Sequence, residues 1–182
     1  MPDTLPEPWF SFFKELDELA NGPVHFHCIG GFVVTMLYGL GRTTADVDVL
    51  HITPRSAHDA FAQVALRGGE LHKKHRVSLD YVTVVAYPRE YESRLQEMFF
   101  GVFQHLHLMA LDPYDLALTK LERSSGRDRS DVQHLAHTVP FDLNILRERY
   151  MTELRPYLLN PEREDKTLKF WIEDIEELRA RP

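Results

Sequence analysis

Two aspartates separated by a single residue are the feature of this sequence most able to do chemistry. Asp46 and Asp48 begin the run DVDVLHI, residues 46–52, whose alternation predicts a β-strand. Asp46, Asp48 and Leu50 then share one face of the strand, and the two aspartate Cβ atoms lie roughly 6 to 7 Å apart. Two carboxylates at that distance repel each other, and a divalent cation such as Mg2+ or Mn2+ removes the repulsion. The pair therefore predicts a metal site, and a solvated strand that carries acids by chance is the alternative.

A glycine pair precedes the aspartates. The apolar run from His25 to Ile29 leads into Gly30 and Gly31, and bulky residues typical of a buried helix follow up to about Leu40. Because glycine has no Cβ, the pair allows a tight turn between strand and helix and a close approach to the backbone. The first turn of the helix would offer its N–H groups to an anion such as a phosphate.

A third acid stands in a later strand pattern. Asp80 lies in the middle of the β-branched run from Val77 to Val85, where a carboxylate is costly to bury unless it is paired or bound to metal. An exposed position on a one-sided strand is the alternative reading of Asp80. Three carboxylates on neighbouring strands can hold two divalent ions, an arrangement that stabilises the attacking and leaving oxygens of a phosphoryl displacement.

The glycine pair, the motif R-x-T-x-D-x-D and the later acid together resemble the minimal nucleotidyltransferase fold of the polymerase-beta superfamily. The long spacing between glycines and motif is closest to the AbiEii-like nucleotidyltransferases, which include toxins of type IV toxin–antitoxin systems. The resemblance covers roughly residues 24 to 138, and Gly31 departs from the serine that many superfamily members have there. The motif residues are Arg42, Thr44, Asp46 and Asp48.

A further part of the resemblance lies in residues 111–132. The segment LDPYDLALTKL predicts a helix that carries Lys120, and the next helix opens with Asp128 or Ser130 as a candidate N-cap. The resemblance implies that Lys120 contacts nucleotide phosphates, a role that suits a compact positive charge. A solvated helix lysine is the alternative. Asp128 and Asp131 share a helix face, and we expect them to support the lysine or cap the helix rather than bind metal.

The resemblance implies a Mg2+-dependent enzyme that moves a nucleoside monophosphate from an NTP to an acceptor hydroxyl. RNA, tRNA in particular, and a cognate antitoxin are the partners that the AbiEii-like group suggests. The implied metal ligands are Asp46, Asp48 and Asp80, and the implied nucleotide-binding residues are Gly30, Gly31, Arg42, Thr44 and Lys120.

Two other function classes compete with this interpretation. A catalytically degenerate member of the same fold would act as a protein-interaction module, for instance through its C-terminal helices. A phosphatase with an aspartate nucleophile is disfavoured, because Leu50 stands where that class requires threonine or valine.

The resemblance, together with the alternation of strand and helix patterns, implies an α+β fold with a mixed central β-sheet flanked by helices and a helical C-terminal part. The chain has 182 residues, of which 43% are hydrophobic and 27% charged, as in globular proteins. We expect a nucleotidyltransferase domain over residues 1–138 and a helical extension over residues 139–182. Four helices are predicted outside the motif region, at Pro8–Asn21, Pro54–Arg67, Phe141–Leu158 and Pro161–Arg179.

Charge and targeting signals narrow the setting in which we expect the protein to act. The net charge of -7 weighs against broad nucleic-acid binding, although a local basic groove remains compatible with it. The sequence shows neither an apolar run of about 20 residues nor a signal peptide, so we expect no membrane partner. The single cysteine, Cys28, agrees with a cytoplasmic location. The pairs His25/His27 and His105/His107 lack zinc-ligand spacing, and we expect partly exposed strand faces there.

Overall fold

A computed structural model describes residues 5–181 of the chain. It contains a five-stranded mixed β-sheet flanked by helices and a helical C-terminal part, so the predicted α+β class is confirmed. The chain forms two compact units. The first unit comprises the chain up to Thr83 together with Leu95–Leu111, and the second comprises Val84–Arg94 together with the chain from Asp112 onward. The predicted division into residues 1–138 and 139–182 stays a prediction.

The sheet belongs to the first unit. The first strand in the chain lies at its centre, antiparallel to the second strand and parallel to the fifth. The second strand also pairs in parallel with the third, and the fourth is antiparallel to the fifth. The strands are β1 (Val24–Ile29), β2 (Asp46–Thr53), β3 (Ser78–Tyr81), β4 (Gln96–Met98) and β5 (Leu106–Ala110), in the order β3-β2-β1-β5-β4.

The two faces of the sheet differ in polarity, because side chains alternate along each strand. One face carries buried apolar residues, which include Phe26, Cys28, Val47, Val49, Leu79 and Leu108. The pairing register assigns the opposite, polar residues to one common face, which includes His25, His27, Asp46, Asp48, His51, Asp80 and His107. The sequence alternation therefore separates a core face from a face that presents functional groups.

A β-bulge interrupts β2 and overturns one expectation. His27 pairs with His51 and Cys28 pairs with Val49, so Leu50 is the extra residue of β2. Leu50 itself is 7% exposed, and after it the alternation that places Asp46 and Asp48 on the polar face is shifted by one residue. His51 takes the next place on the polar face, because it pairs with His27.

Helices of the first unit cover apolar surface. The helix predicted at Pro8–Asn21 is present with a buried face of Trp9, Phe12, Phe13 and Leu16, whereas Leu19 is 50% exposed. The Asp17 carboxylate accepts hydrogen bonds from the backbone N–H groups of residues 104, 105 and 106, which fixes the entry to β5. The helices of this unit are α1 (Trp9–Leu19), α2 (Gly30–Met36), α3 (Ser56–Ala65) and α4 (Glu70–His75).

The second unit is helical and contains a buried ionic cluster. The Asp115 carboxylate is fully buried and accepts hydrogen bonds from Arg94 at 2.8 and 3.1 Å and from Arg149 at 3.0 Å. Asp112 caps the helix that begins at Pro113, and it also pairs with Arg149. The helices are α5 (Pro113–Leu118), α6 (Gly126–Thr138), α7 (Leu143–Arg149) and α8 (Glu162–Ala180), with short non-α turns at Tyr91–Arg94, Tyr150–Leu154 and Arg155–Tyr157.

Three predicted elements are shorter in the structure than the sequence pattern suggested. Helix α2 ends at Met36 rather than near Leu40, before Gly39 takes a φ of 69°. Strand β3 has 4 residues instead of the run from Val77 to Val85, and its pairing with β2 ends at Val49 and Tyr81. The helix predicted from Phe141 to Leu158 is α7 followed by π and 3-10 turns, the last of which contains a proline.

Two elements had no clear signal in the sequence. Helix α4 begins directly after Gly69 and has 6 residues, and β4 is only 3 residues long. Among residues 5–181, no helix combines the length and the hydrophobicity that crossing a membrane requires.

Candidate active site

The three aspartates lie on one face of the sheet. Asp48 pairs directly with Asp80 across the parallel strands β2 and β3. Asp46 lies two residues before Asp48 on the same strand, so its side chain leaves the sheet on the same side. Asp46 and Asp48 are half-buried and Asp80 is exposed. Because paired residues in a sheet point the same way, the register brings the carboxylate pair and the later acid together.

The Asp48 carboxylate packs against the glycine turn. Gly30 has a φ of 74°, a left-handed conformation that side chains rarely adopt. A Cβ built at Gly30 would lie 1.8 Å from Asp48 Oδ2. This position therefore needs glycine both for its backbone conformation and for the space that Asp48 occupies.

The two polar residues of the motif before Asp46 each have a defined contact. The Thr44 hydroxyl donates to the backbone carbonyl of Asp46 at 2.9 Å and lies 3.2 Å from Asp46 Oδ1, so it orients that carboxylate. The Arg42 guanidinium lies beside Gly31, where Nη2 is 3.1 Å from the position of a Cβ. Thr44 thus contacts a metal-ligand candidate, and Arg42 brings positive charge to the glycine turn.

The donor set suits a hard cation, since three carboxylates supply only oxygen ligands. Among residues 5–181, however, no group of three or more His, Cys, Asp or Glu side chains is arranged to hold a metal ion. A site built from one or two carboxylates plus substrate phosphates would not need such a group. The pKa of the Cys28 thiol is raised well above its usual range. Burial is the larger cause, and the negative charge of the Asp48 carboxylate is the smaller one. Cys28 is therefore a neutral, fully buried thiol.

The comparison with protein families identifies the chain at the level of its fold and general activity. A family model described as a nucleotidyltransferase of unknown function (DUF6036) matches residues 9–179. The chain belongs to this family. No curated protein and no solved structure matches the chain. Membership in this nucleotidyltransferase family supports nucleotidyl transfer from an NTP as its general reaction.

In this nucleotidyltransferase, Lys120 lies in the second unit. It lies in the turn that follows α5, rather than in the helix itself, and only 3% of it is exposed. Its Nζ donates to Asp131 Oδ2 at 2.8 Å and lies 3.7 Å from Asp128 Oδ1. The alternative interpretation of Lys120 as a solvated helix lysine is thus wrong, because Lys120 is buried in an ionic contact. Its implied contact with nucleotide phosphates stays a prediction.

Asp128 takes part in capping the N-terminus of α6. Ser125 is the N-cap, where Asp128 or Ser130 was expected, and Ser125 and Asp128 form a reciprocal capping box. Burial raises the pKa of Asp128, but hydrogen bonds from Arg123 and Ser125 outweigh it and lower the value to about 2. The carboxylate is therefore charged and caps the helix, and the supporting role expected for it at the site stays a prediction.

Four histidines on the polar face were not predicted as functional residues. His25 and His27 alternate along β1, and the structure adds His51 from β2 and His107 from β5 to the same face. The i, i+2 spacing of the histidines in β1 is the signal that could have indicated this. The place of His51 could not be predicted, because it depends on the bulge at Leu50.

Proposed function

We propose that this nucleotidyltransferase is a Mg2+- or Mn2+-dependent enzyme that transfers a nucleoside monophosphate from an NTP to an acceptor hydroxyl. The observation that carries the proposal is the pairing of Asp48 with Asp80, with Asp46 on the same face two residues away. The close packing of the Asp48 carboxylate against Gly30 supports it, because the bare backbone of the turn and the carboxylate then lie at one place.

Asp46 and Asp48 would hold the metal, and Asp80 would complete a second position. Bound Mg2+ supplies charge neutralisation to the triphosphate and a lower pKa to the acceptor hydroxyl. Thr44 keeps the Asp46 carboxylate in place, and Gly30 keeps space open for Asp48. Since phosphoryl transfer depends mostly on positioning and electrostatics, these contacts are the contribution that the chain itself makes.

The reaction balances without a further reactant. The acceptor oxygen forms a bond to the α-phosphorus, the bond between the α-phosphorus and the bridging oxygen breaks, and pyrophosphate leaves. The exposed Asp80 carboxylate accepts the acceptor's proton and passes it to water. Arg42, beside Gly31, offsets negative charge on the phosphates at the glycine turn.

The test combines binding with transfer. The full chain is incubated with Mg2+, the four α-labelled NTPs and either total tRNA or a mixture of hydroxyl-bearing peptides as the acceptor, and NTP binding is measured by calorimetry in parallel. We expect Asp48→Asn to lose Mg2+-dependent NTP binding and label transfer while its folding stability changes little. Asp59→Asn, at a 95% exposed side chain in α3, is the matched control and should behave as the wild type. Equal Mg2+-dependent binding of NTP by wild type and Asp48→Asn would remove the proposal.

The resemblance to AbiEii-like proteins suggests, as an alternative, an RNA acceptor such as tRNA and a toxin role with a cognate antitoxin. Two results would support the toxin role. Induced expression of the wild type should arrest growth unless the neighbouring reading frame is expressed with it, and induced expression of Asp46→Asn should not arrest growth. Label transfer to tRNA is the assay for that acceptor.

A degenerate nucleotidyltransferase that only binds a protein partner is the second candidate. The missing preformed group of metal ligands among residues 5–181 is the observation that favours it. Partner capture of equal strength by the wild type and an Asp46→Asn/Asp48→Asn variant, without NTP consumption, would select this candidate.

A further inference from the structure

The polar face of the sheet continues beyond the aspartates as two rows of imidazoles. Asp48 pairs with Ile29, and the next pair on the same face is His51 with His27. The pair after that is Thr53 with His25, and His25 pairs on its other side with His107. Successive rows on one face of a sheet are roughly 7 Å apart, so the imidazoles begin one row from the carboxylates.

The imidazoles contact one another and are partly open to solvent. The rings of His25 and His107 are stacked with their centroids 4.7 Å apart, and those of His27 and His51 meet edge to face at 6.0 Å. His107 Nδ1 lies 2.7 Å from Glu97 Oε1. His51 is exposed and the His107 side chain is 30% exposed, whereas His27 is 9% exposed. The rows therefore form a packed but accessible surface.

The direction of the rows relates them to the reaction. On β1, Gly30 follows Ile29 and His27 precedes it, so the glycine turn lies on one side of the carboxylate row and the imidazoles lie on the other. In phosphoryl transfer the attacking and leaving oxygens are roughly in line on opposite sides of the phosphorus. With the triphosphate at the glycine turn, as in the proposed function, pyrophosphate leaves on that side and the acceptor must approach from the imidazole side.

The charges of the strands indicate what kind of acceptor can approach there. The strand sequences VHFHCI, DVDVLHIT, SLDY, QEM and LHLMA contain neither lysine nor arginine. Binding of a nucleic-acid backbone depends on such cations to displace counterions. Imidazoles, the Thr53 hydroxyl, the Met109 thioether and the Glu97 carboxylate suit instead a chain of mixed polar and apolar groups with basic side chains.

We infer that the rows formed by His25, His27, His51 and His107 bind the acceptor, and that the acceptor is a serine, threonine or tyrosine hydroxyl of a polypeptide with basic flanking residues. This inference rests on the proposed function. The peptide hydroxyl oxygen bonds to the α-phosphorus, pyrophosphate leaves, and the hydroxyl proton passes through Asp80 to water. The bulge at Leu50 contributes to this surface, because it places the exposed His51 on the polar face beside His27.

The experiment offers three acceptor probes to the full chain with Mg2+ and α-labelled NTPs. The probes are a lysine-flanked peptide mixture with serine, threonine or tyrosine as the hydroxyl donor, the same mixture with glutamate flanks, and mixed tRNA. We expect label on the lysine-flanked peptides in preference to the other two probes. Binding of NTP with Mg2+ is measured separately by calorimetry. Absent binding would contradict the proposed function itself, whereas intact binding without peptide labelling would contradict only the inference about the acceptor.

Histidine variants then test the surface. His51→Asn and the double variant His25→Asn/His107→Asn should each raise the KM for the lysine-flanked peptide by about tenfold, as expected for one lost stacking or hydrogen-bond contact. The kcat and the KM for NTP should stay unchanged. His137→Asn, at an exposed position in α6, is the matched control.

Three outcomes would overturn the inference. They are label on tRNA rather than on peptide, unchanged peptide KM in the histidine variants, and intact NTP binding with label on none of the three probes.

Discussion

Replacing Gly30 by alanine tests whether the glycine turn and the Asp48 carboxylate act as one unit. The added Cβ would lie 1.8 Å from Asp48 Oδ2, where ordinary van der Waals contact begins at 3.4 Å. The carboxylate must therefore move by more than an ångström, or the backbone of the turn must shift. In addition, an alanine at a φ of 74° costs about 1–2 kcal/mol of conformational energy.

We expect Gly30→Ala to lower the free energy of unfolding by about 1–3 kcal/mol, since backbone strain and local repacking add. Mg2+-dependent transfer should fall by about 100-fold, because a misplacement of about 1 Å at a reacting centre can cost that much, and NTP binding should weaken with it. Urea unfolding gives the stability, and calorimetry with NTP and Mg2+ gives the binding.

Gly41→Ala is the matched control for this prediction. A Cβ at Gly41 meets nothing within 4 Å, and its backbone is outside the left-handed region. It should keep NTP binding and lose no stability, because such a substitution mainly restricts the unfolded chain. If Gly30→Ala bound NTP with Mg2+ as tightly as Gly41→Ala, the assignment of Asp48 and the turn to one nucleotide site would be refuted.

Three further predictions concern single contacts. Thr44→Val should weaken Mg2+-dependent NTP binding and cost about 1 kcal/mol of stability through the lost hydrogen bond to Asp46, whereas Thr44→Ser should retain both; equal binding by the two variants in calorimetry would contradict this. Lys120→Met should cost about 3–5 kcal/mol in urea unfolding, because it leaves Asp131 buried and charged, and adding Asp131→Leu should recover most of the loss. The depressed pKa of Asp128, about 2 against 3.8, means that its stabilisation is present above about pH 4 and is lost as the pH falls toward 2. The stability difference between wild type and Asp128→Asn should therefore shrink over that range, by about 1–2 kcal/mol after allowance for solvent screening at the exposed Arg123.

The polar face shows how far local sequence rules reach. Alternation in β2 correctly predicts that Asp46 and Asp48 share a face and that Val47 and Val49 are buried. The same rule fails after Leu50, because the bulge adds one residue and shifts the side chains that follow it to the opposite face. The bulge depends on the register with β1, and no residue type in β2 indicates where it occurs.

Lys120 shows a second limit. Its surroundings in the sequence predict a helix with one lysine, and a lysine on a helix is usually solvated. Its burial depends on Asp131, which is 11 positions away and belongs to the next helix. Only the packing of α5, its following turn and α6 brings that carboxylate to the ammonium and makes burial of the charge tolerable.

The sequence by itself determined the α+β class, the family resemblance, the glycine turn and the two aspartates of β2, because each depends on residue types at fixed local spacing. Tertiary structure alone decided that Asp80 lies beside Asp48, that Asp48 fills the space a side chain at Gly30 would take, and that four histidines form rows next to them. The physical reason is that strand order and register are set by long-range hydrogen bonding and core packing. Local periodicity tells which side of a strand a residue faces, but not which residue will be its neighbour.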